Sequence, residues 1–318
     1  MEKRWYDGAA GHAAAVRRAG RTIAGVRFTK GHGTANDFVL VDDHDGALEL
    51  TAAAVAAICD RRRGVGADGI LRVVRTAYVD GWAHLAGEAE WFMDYRNADG
   101  GAVEMCGNGI RVFARYLVDH SLVDHSLVEH SLAGGATELD VATRDGVKRL
   151  WLRDGGQVTV DMGTPRDTEL LPDDGVFVSM GNPHVVLFAD DLATAPVATV
   201  GPAIERDWDG GTNVEFVRVV DETAIGLRVW ERGVGETMSC GTGACASAVA
   251  AHLRGYAGRT VDVALPGGTL AVDWTVGGTV LMTGPAVLAY DGDLRPEWLA
   301  AVDLQVIDEE RADEESTA

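Results

Sequence analysis

Basic residues are scarce in this sequence of 318 residues, which has 28 Lys and Arg against 49 Asp and Glu and a net charge of −21. A protein surface of that sign repels phosphate backbones and anionic lipid surfaces. The sequence also lacks an uncharged apolar run near the ~18 residues that suggest a membrane span. We therefore expect neither a nucleic-acid partner nor a membrane partner.

Cysteine and lysine are also rare. The four cysteines form no C-x-x-C pair and are too sparse for a disulfide scaffold, which predicts a reducing, cytoplasmic location. The three lysines are Lys3, Lys30 and Lys148, and only Lys30 adjoins a plausible site loop. Pyridoxal phosphate chemistry needs a Schiff-base lysine, so a reaction without a cofactor fits the sequence better.

The chain is too long to fold around a single hydrophobic core, so its length predicts two domains of ~150 residues. Three short landmarks recur in the same order and at a similar offset. They are residues 36–42 and 182–187, 66–71 and 211–216, and 106–109 and 240–243. The chain therefore consists of two halves of similar architecture.

Strand-like runs separated by Gly or Pro dominate both halves, and a helix follows each of Cys106 and Cys240. The second helix, over 244–253, is apolar nearly all round and should be buried. We predict an α+β fold of two similar, pseudo-symmetric domains. Each is a curved, mostly antiparallel sheet or barrel around a central helix, with the active site in the cleft between them.

The predicted N-terminal domain covers residues 24–160 and a returning segment at about 285–302, and the C-terminal domain covers 161–284. Residues 1–23 and 307–318 are expected to be flexible. A pentad repeat, DHSLVDHSLVEHSL, occupies residues 119–132. Its histidines spiral around a helix rather than share one face, so we predict an expanded loop or ragged helix end and no metal site.

Cys106 and Cys240 each precede a glycine-flanked helix start. Such a start leaves backbone N–H groups free and carries about half a positive charge. This environment is expected to lower the pKa of the thiol and to bind a carboxylate. A carbon held between two such sulfurs can lose a proton to one and gain a proton from the other, which inverts a stereocentre. A carboxylate clamp at the helix starts would tighten in the transition state.

Polar residues recur around these cysteines. Glu231 precedes Cys240 by nine residues, and Arg232 can bind a carboxylate bidentately. Glu231 is a candidate partner for a substrate ammonium, although Glu231 and Arg232 are equally typical of surface ion pairs. His184 can tune a cysteine pKa or simply be a strand-end histidine. The candidate asparagines, which are also typical of turns, are Asn36, Asn97, Asn182 and Asn213.

Seven ordered motifs resemble the diaminopimelate epimerase family, and most closely its actinobacterial form, over residues 26–299. They are GHGTANDF (31–38), RNADG (96–100), MCGNG (105–109), MGNPH (180–184), GTNVE (211–215), ERGVGET (231–237) and CGTG (240–243). The resemblance implies interconversion of LL- and meso-2,6-diaminopimelate in lysine and peptidoglycan-precursor biosynthesis, without cofactor or metal, by a homodimer.

The resemblance also implies residue roles. Cys106 and Cys240 would be the acid/base pair, and His184 and Glu231 would adjust the thiol pKa values. Residues that would bind the substrate are Asn36, Asn97, Gly107, Asn108, Asn182, Asn213, Glu231, Arg232, Gly241 and Thr242. The backbone amides at 107–108 and 241–242 would hold the reacting carboxylate, and Arg232 would meet the distal one. Gly69 departs from the family, because many members have a substrate-contacting glutamine there.

Two alternatives remain open. A racemase or epimerase of proline or histidine would keep the fold but leave Arg232 poorly used. A non-catalytic protein would use Cys106 and Cys240 as a redox-responsive disulfide instead. Deuterium uptake from solvent at the substrate α-carbon would distinguish an enzyme from the redox protein.

Overall fold

The computed structural model describes residues 17–18, 21–22, 25–123, 137–302 and 305–306. Most of the pentad repeat, the tail at 307–318 and most of residues 1–23 lie outside this part. The strands in it are β1 (Arg17–Arg18), β2 (Arg21–Thr22), β3 (Val26–Gly33), β4 (Asn36–Asp42), β5 (Leu48–Glu49), β6 (Gly69–Arg75), β7 (Trp91–Asn97), β8 (Thr137–Thr143), β9 (Gly146–Arg153), β10 (Gln157–Asp161), β11 (Asp167–Leu170), β12 (Val176–Ser179), β13 (Pro183–Phe188), β14 (Asn213–Asp221), β15 (Ala224–Glu231), β16 (Gly235–Thr237), β17 (Thr260–Leu265), β18 (Gly268–Trp274), β19 (Val280–Pro285), β20 (Val287–Leu294) and β21 (Gln305–Val306). The α-helices are α1 (Ala52–Cys59), α2 (Gly107–Asp119), α3 (Val197–Asp207), α4 (Gly241–Leu253) and α5 (Pro296–Ala301).

One closed sheet contains most of these strands. Its order is β10–β11–β12–β13–β14–β15–β16–β17–β18–β19–β20–β3–β4–β6–β7–β8–β9, with further pairings β10–β19 and β15–β17. Most pairs are antiparallel, and the parallel pairs occur at matching places. They are β4–β6 and β7–β8 in the first half, and β13–β14 and β15–β17 in the second. The predicted α+β fold of two similar, mostly antiparallel halves is therefore confirmed.

The sequence landmarks correspond to this symmetry. Residues 36–42 and 66–71 run along the parallel pair β4–β6, and their echoes run along β13–β14. Near the C-terminus, β20 pairs with β3 and so brings residues 287–294 back to the first half. The exact domain limits stay a prediction. No helix in the described ranges is long and apolar enough to cross a membrane.

The central helices are α2 and α4, and each is surrounded by strands of its own half. The α4 helix consists mainly of Ala, Gly and Ser, and residues 243–251 are all buried. Small side chains let the strands approach the helix closely on every side. The buried central helices predicted from the sequence are confirmed.

Two further helices cover the outside of the sheet. Along β4, Phe38 and Leu40 face α2, whereas Val39 and Val41 face α1. This alternation explains why the run is continuously apolar, since both faces of the strand are covered. In the second half, α3 covers Val214 of β14. The sequence pattern does not predict α1 and α3, because α1 is alanine-rich without a distinct apolar stripe and α3 contains Pro202.

The turn between β3 and β4, in the first half, contacts the second half. Thr34 and Ala35 have φ values of 51° and 61°, a left-handed conformation that is uncommon for residues other than glycine. Thr34 is buried, and its carbonyl lies against Gly267 of the second half. Its hydroxyl is 2.7 Å from the Ser239 hydroxyl, directly before Cys240. The strained turn is therefore fixed where the halves meet at the predicted site.

Candidate active site

Both predicted catalytic cysteines are helix N-caps. Cys106 and Cys240 have extended backbone conformations immediately before α2 and α4. The Gly109 N–H donates to the Cys106 Sγ over 3.3 Å, and the Gly243 N–H donates to the Cys240 Sγ over 3.4 Å. A sulfur that replaces the usual cap oxygen satisfies one free backbone donor at each helix start. The two halves thus present the same thiol geometry.

The two helix starts touch each other. A Cβ added to Gly241 would lie 3.3 Å from the Gly107 Cα, and a Cβ added to Gly107 would lie 3.5 Å from the Gly241 Cα. Met282 packs against both glycines. Its Cε would lie 3.0 Å from the Cβ added to Gly107 and 3.3 Å from the Cβ added to Gly241. A side chain at position 241 would be tighter against the other helix start than most Cβ contacts, and one at position 107 would displace the end of Met282. The N-termini of α2 and α4 therefore meet at one junction.

Asn36 and Asn108 lie on the Cys106 side of this junction. The Cys106 thiol donates to Asn36 Oδ1 over 3.7 Å, and Asn108 Nδ2 donates to the same oxygen over 3.2 Å. The other end of the Asn36 amide donates to Asp68 Oδ2 over 2.8 Å. The Asn36 amide is therefore fixed, with its oxygen toward the thiol.

The second half has a longer chain of hydrogen bonds. The Cys240 Sγ lies 3.5 Å from Thr242 Oγ1, which accepts from Asn182 Nδ2 over 3.3 Å. Asn182 Oδ1 lies 3.0 Å from His184 Nε2, and His184 Nδ1 lies 2.7 Å from Glu215 Oε1. His184 and Glu215 are fully buried. A chain of hydrogen bonds through Asn182 and Thr242 therefore links His184 to Cys240.

Glu231 carries a negative charge that acts on both sulfurs. Its carboxylate accepts hydrogen bonds from Thr237 and Cys240, and burial raises its pKa. The negative charge of Glu231 in turn raises the pKa of both Cys106 and Cys240. One carboxylate therefore lies close enough to both thiols to act on them electrostatically.

The thiols of Cys106 and Cys240 are both harder to ionise than that of a free cysteine. Burial raises the pKa of Cys106 to about 11, although the Gly109 N–H acts in the opposite direction. Burial, Glu231 and Glu215 raise the pKa of Cys240 well above its ordinary value. The prediction that the helix starts lower the thiol pKa is therefore wrong for the net shift. Desolvation outweighs the backbone donors.

Arg232 and Asn213 form the outer part of the site. Asn213 Oδ1 accepts from the Arg232 backbone N–H over 2.9 Å, and Asn213 Nδ2 donates to the Pro183 carbonyl over 3.0 Å. The exposed Arg232 guanidinium donates to the Gly210 carbonyl over 3.2 Å. Within the described ranges it pairs with no carboxylate, so its remaining donors face solvent.

Asn97 lies on the first-half side, at the end of β7. The Tyr95 hydroxyl donates to Asn97 Oδ1 over 2.7 Å. Burial raises the pKa of Tyr95, and the nearby Cys106 and Glu231 raise it further. Asn97 and Tyr95 therefore belong to the environment of the first cysteine.

A buried network that the sequence analysis missed joins the halves beneath the cysteines. Arg111 of α2 is fully buried and donates to the Gly107 carbonyl, Thr34 Oγ1 and Asn108 Oδ1 over 3.2, 3.2 and 3.0 Å. Asn108 Nδ2 donates to the Ser239 carbonyl over 3.2 Å. Burial lowers the pKa of Arg111 to about 10. The signal in the sequence was an arginine in an otherwise apolar stretch of helix.

Comparison with known proteins identifies the family of this chain. The family described as diaminopimelate epimerase matches residues 28–167 and 176–289. This chain belongs to the diaminopimelate epimerase family. It is 47% identical over 302 residues to a diaminopimelate epimerase of Streptomyces coelicolor, covering 87% of this chain and 98% of that protein. It is 46% identical over 286 residues to one of Thermobifida fusca, covering 85% and 98%. The resemblance inferred from the motifs is confirmed.

Solved structures of other enzymes share the fold at low identity. A hydroxyproline epimerase of Agrobacterium vitis matches with a TM-score of 0.59 and 13% identity, over 85% of this chain and 93% of that chain. A phenazine biosynthesis protein of the PhzF family from Bacillus anthracis matches with a TM-score of 0.62 and 15% identity, over 86% and 99%. These matches show the fold, whereas membership of the diaminopimelate epimerase family is shown by the family match above.

Proposed function

We propose that this chain is a cofactor-independent isomerase that interconverts LL-2,6- and meso-2,6-diaminopimelate, with Cys106 and Cys240 as acid and base. It would act in lysine and peptidoglycan-precursor biosynthesis. The observation that carries the proposal is the pair of cysteine N-caps at touching helix starts, both under the charge of Glu231. A two-base inversion needs two thiols on opposite faces of the α-carbon, and the neighbouring helix starts support that arrangement.

The reacting carboxylate would bind at the junction of α2 and α4. Backbone N–H groups at Gly107, Asn108, Gly241 and Thr242 belong to the first turns, where amides have no partner inside the helix. Two helix N-termini that converge on one point supply two positive dipole ends. When the α-proton leaves, negative charge spreads into this carboxylate, so the clamp binds the transition state more strongly than the ground state.

Proton transfer would then occur across the α-carbon. The thiolate on one face takes the α-proton, so that a C–H bond breaks, an S–H bond forms and the electron pair moves into the carboxylate. The thiol on the other face donates its proton to the carbon and restores the C–H bond with inverted configuration. The roles of Cys106 and Cys240 exchange with the direction of the reaction.

Glu231 would link substrate binding to thiol ionisation. Its negative charge raises the pKa of both thiols. A substrate ammonium beside Glu231 would neutralise that charge and so lower the thiol pKa values. The base would therefore form in the complex, where it is needed.

The remaining residues would recognise the substrate. Arg232 would bind the distal carboxylate, because its guanidinium is exposed and keeps donors free of the described carboxylates. His184 would act on Cys240 through Asn182 and Thr242. The asparagines proposed to line the pocket are Asn36, Asn97, Asn182 and Asn213. We further propose a cytoplasmic homodimer with domains at 24–160 plus about 285–302 and at 161–284.

Solvent deuterium exchange tests this function. The reduced protein should incorporate deuterium at the α-carbon of LL-diaminopimelate in D₂O and produce the meso isomer. Cys106→Ala and Cys240→Ala should each abolish inversion, because one face then lacks its acid or base. No exchange by the reduced wild-type protein would refute the enzymatic proposal, and wild-type rates in either variant would refute the two-base mechanism.

A second candidate is a racemase or epimerase of a cyclic amino acid, favoured only by the fold shared with the hydroxyproline epimerase. Proline has one carboxylate and would leave Arg232 without a ligand. Exchange assays with proline, 4-hydroxyproline and histidine, run in parallel, distinguish the candidates. Faster turnover of any of these than of LL-diaminopimelate would favour the second.

A further inference from the structure

Tyr95 occupies a place in the site that the family resemblance does not account for. It lies on β7, only 7% exposed, and packs edge-on against Phe38 with ring centroids 5.8 Å apart. A Cβ added to Gly69 would lie 2.7 Å from Tyr95 Cε2 and 2.5 Å from the Arg96 carbonyl oxygen. No side chain therefore fits at position 69, because the Arg96 carbonyl and the Tyr95 ring both lie too close. The glycine that departs from the family pattern thus lies directly against Tyr95.

The strand register directs Tyr95 at a proposed substrate-binding residue. In the β6–β7 pair, Gly69 lies opposite Asn97 and Leu71 lies opposite Tyr95. Residues two apart on a strand share a face, so Tyr95 and Asn97 project to the same side of β7. The Tyr95 hydroxyl donates to Asn97 Oδ1 over 2.7 Å. This bond fixes which end of the Asn97 amide faces away from Tyr95.

The opposite end of that amide is a donor. Asn97 Nδ2 makes no hydrogen bond with the part of the chain that the structure describes, whereas the Asn36 amide is held at both ends. Because Oδ1 is occupied by the tyrosine hydroxyl, the free N–H groups suit an acceptor such as a carboxylate oxygen. Burial, Cys106 and Glu231 raise the pKa of Tyr95, so its hydroxyl stays protonated and keeps donating.

We propose that Tyr95 is a positioning residue of the epimerase site, which orients Asn97 so that its amide N–H groups bind a carboxylate of the substrate. The aromatic ring closes the space above Gly69, and the hydroxyl sets the direction of the amide. The inference depends on the proposed function, because it assigns Tyr95 a part in binding that substrate.

Removing the hydroxyl tests the inference directly. Tyr95→Phe keeps the ring and its packing but frees the Asn97 amide to rotate. The KM for LL-diaminopimelate should rise about tenfold, the loss expected for one hydrogen bond, while kcat changes much less. Tyr116→Phe is the matched control, since Tyr116 is a buried tyrosine whose hydroxyl donates to Asp42 away from the cysteines. An unchanged KM in Tyr95→Phe, or an equal rise in the control, would overturn the proposal.

A double-mutant cycle separates positioning from stability. Asn97→Ala should raise KM at least as much as Tyr95→Phe, and the double variant should be no worse than Asn97→Ala alone. Independent, additive effects would overturn the proposal, as would a wild-type KM in Asn97→Ala, which can be tested even if Tyr95→Phe does not fold. Exchange by the wild-type protein with normal KM values in these variants would refute this inference alone, whereas loss of exchange in the wild type would refute the proposed function.

Discussion

At the scale of single residues, Glu231 acts electrostatically on both thiols. It raises the pKa of Cys106 and Cys240 by its charge, in addition to the effect of burial. The other cysteines are also buried, and burial raises the pKa of Cys59 and Cys245 to about 12. Among the three cysteines with a defined pKa, Cys106 has the lowest, at about 11.

Glu231→Gln should make Cys106 easier to ionise. The neutral amide removes a negative charge that disfavours the thiolate, so the pKa of Cys106 should fall below about 11. The alkylation rate of Cys106 by iodoacetamide, followed by mass spectrometry from pH 7 to 10.5, measures the shift. Glu236→Gln is the control, because Glu236 lies nearby but pairs with Arg228. A rate profile unchanged by Glu231→Gln would show that the carboxylate does not act on this sulfur.

At the scale of secondary-structure elements, the contact between the α2 and α4 starts determines the site. Cysteine caps, glycine-rich first turns and a parallel strand pair occur in each half, so these features were predictable from repeated motifs. The hydrogen bonds between the halves were not predictable, because they are made by residues that belong to no repeated motif and meet only after folding. These residues are Thr34, Arg111 and Ser239. Periodicity reports the burial of each element but contains no information on which elements from distant parts of the chain touch.

Separating the helix starts should impair catalysis more than folding. In Gly241→Ala the new methyl group would lie 3.3 Å from the Gly107 Cα and from Met282, which forces the two starts apart by a few tenths of an ångström. We expect a loss of at least tenfold in kcat/KM and a loss of about 1–3 kcal/mol in the free energy of unfolding. Gly87→Ala is the control, because an added Cβ there meets nothing within 4 Å. Wild-type kcat/KM in Gly241→Ala would exclude a role for the close contact.

At the scale of the whole molecule, the free energy of unfolding should be highest and nearly constant around neutral pH and should fall at both acid and alkaline pH. Asp94 is buried and Asp37 is half-buried, yet the pKa values of both are lowered because cationic partners such as Arg61 and Arg144 outweigh desolvation. Stability from such carboxylates is present above their unfolded pKa of 3.8 and is lost as the pH falls below it. Buried thiols act in the other direction, because the folded state keeps a proton that the unfolded state releases above pH 9.

Cys59 is suited to test the alkaline effect, since it is buried in the core around α1 and is neither of the two helix-capping cysteines. Its pKa is 9.0 in the reference state and about 12 when folded, so at pH 10.5 ionisation should favour the unfolded chain by about 2 kcal/mol relative to pH 7. At pH 7 the wild type should exceed Cys59→Ala in stability by the small cost of the cavity. Urea unfolding under reducing conditions should show that difference shrinking or reversing between pH 9 and 10.5, and staying constant between pH 3 and 5. A difference that is the same at pH 7 and pH 10.5 would show that the thiol ionises equally well in the folded protein, contrary to its burial.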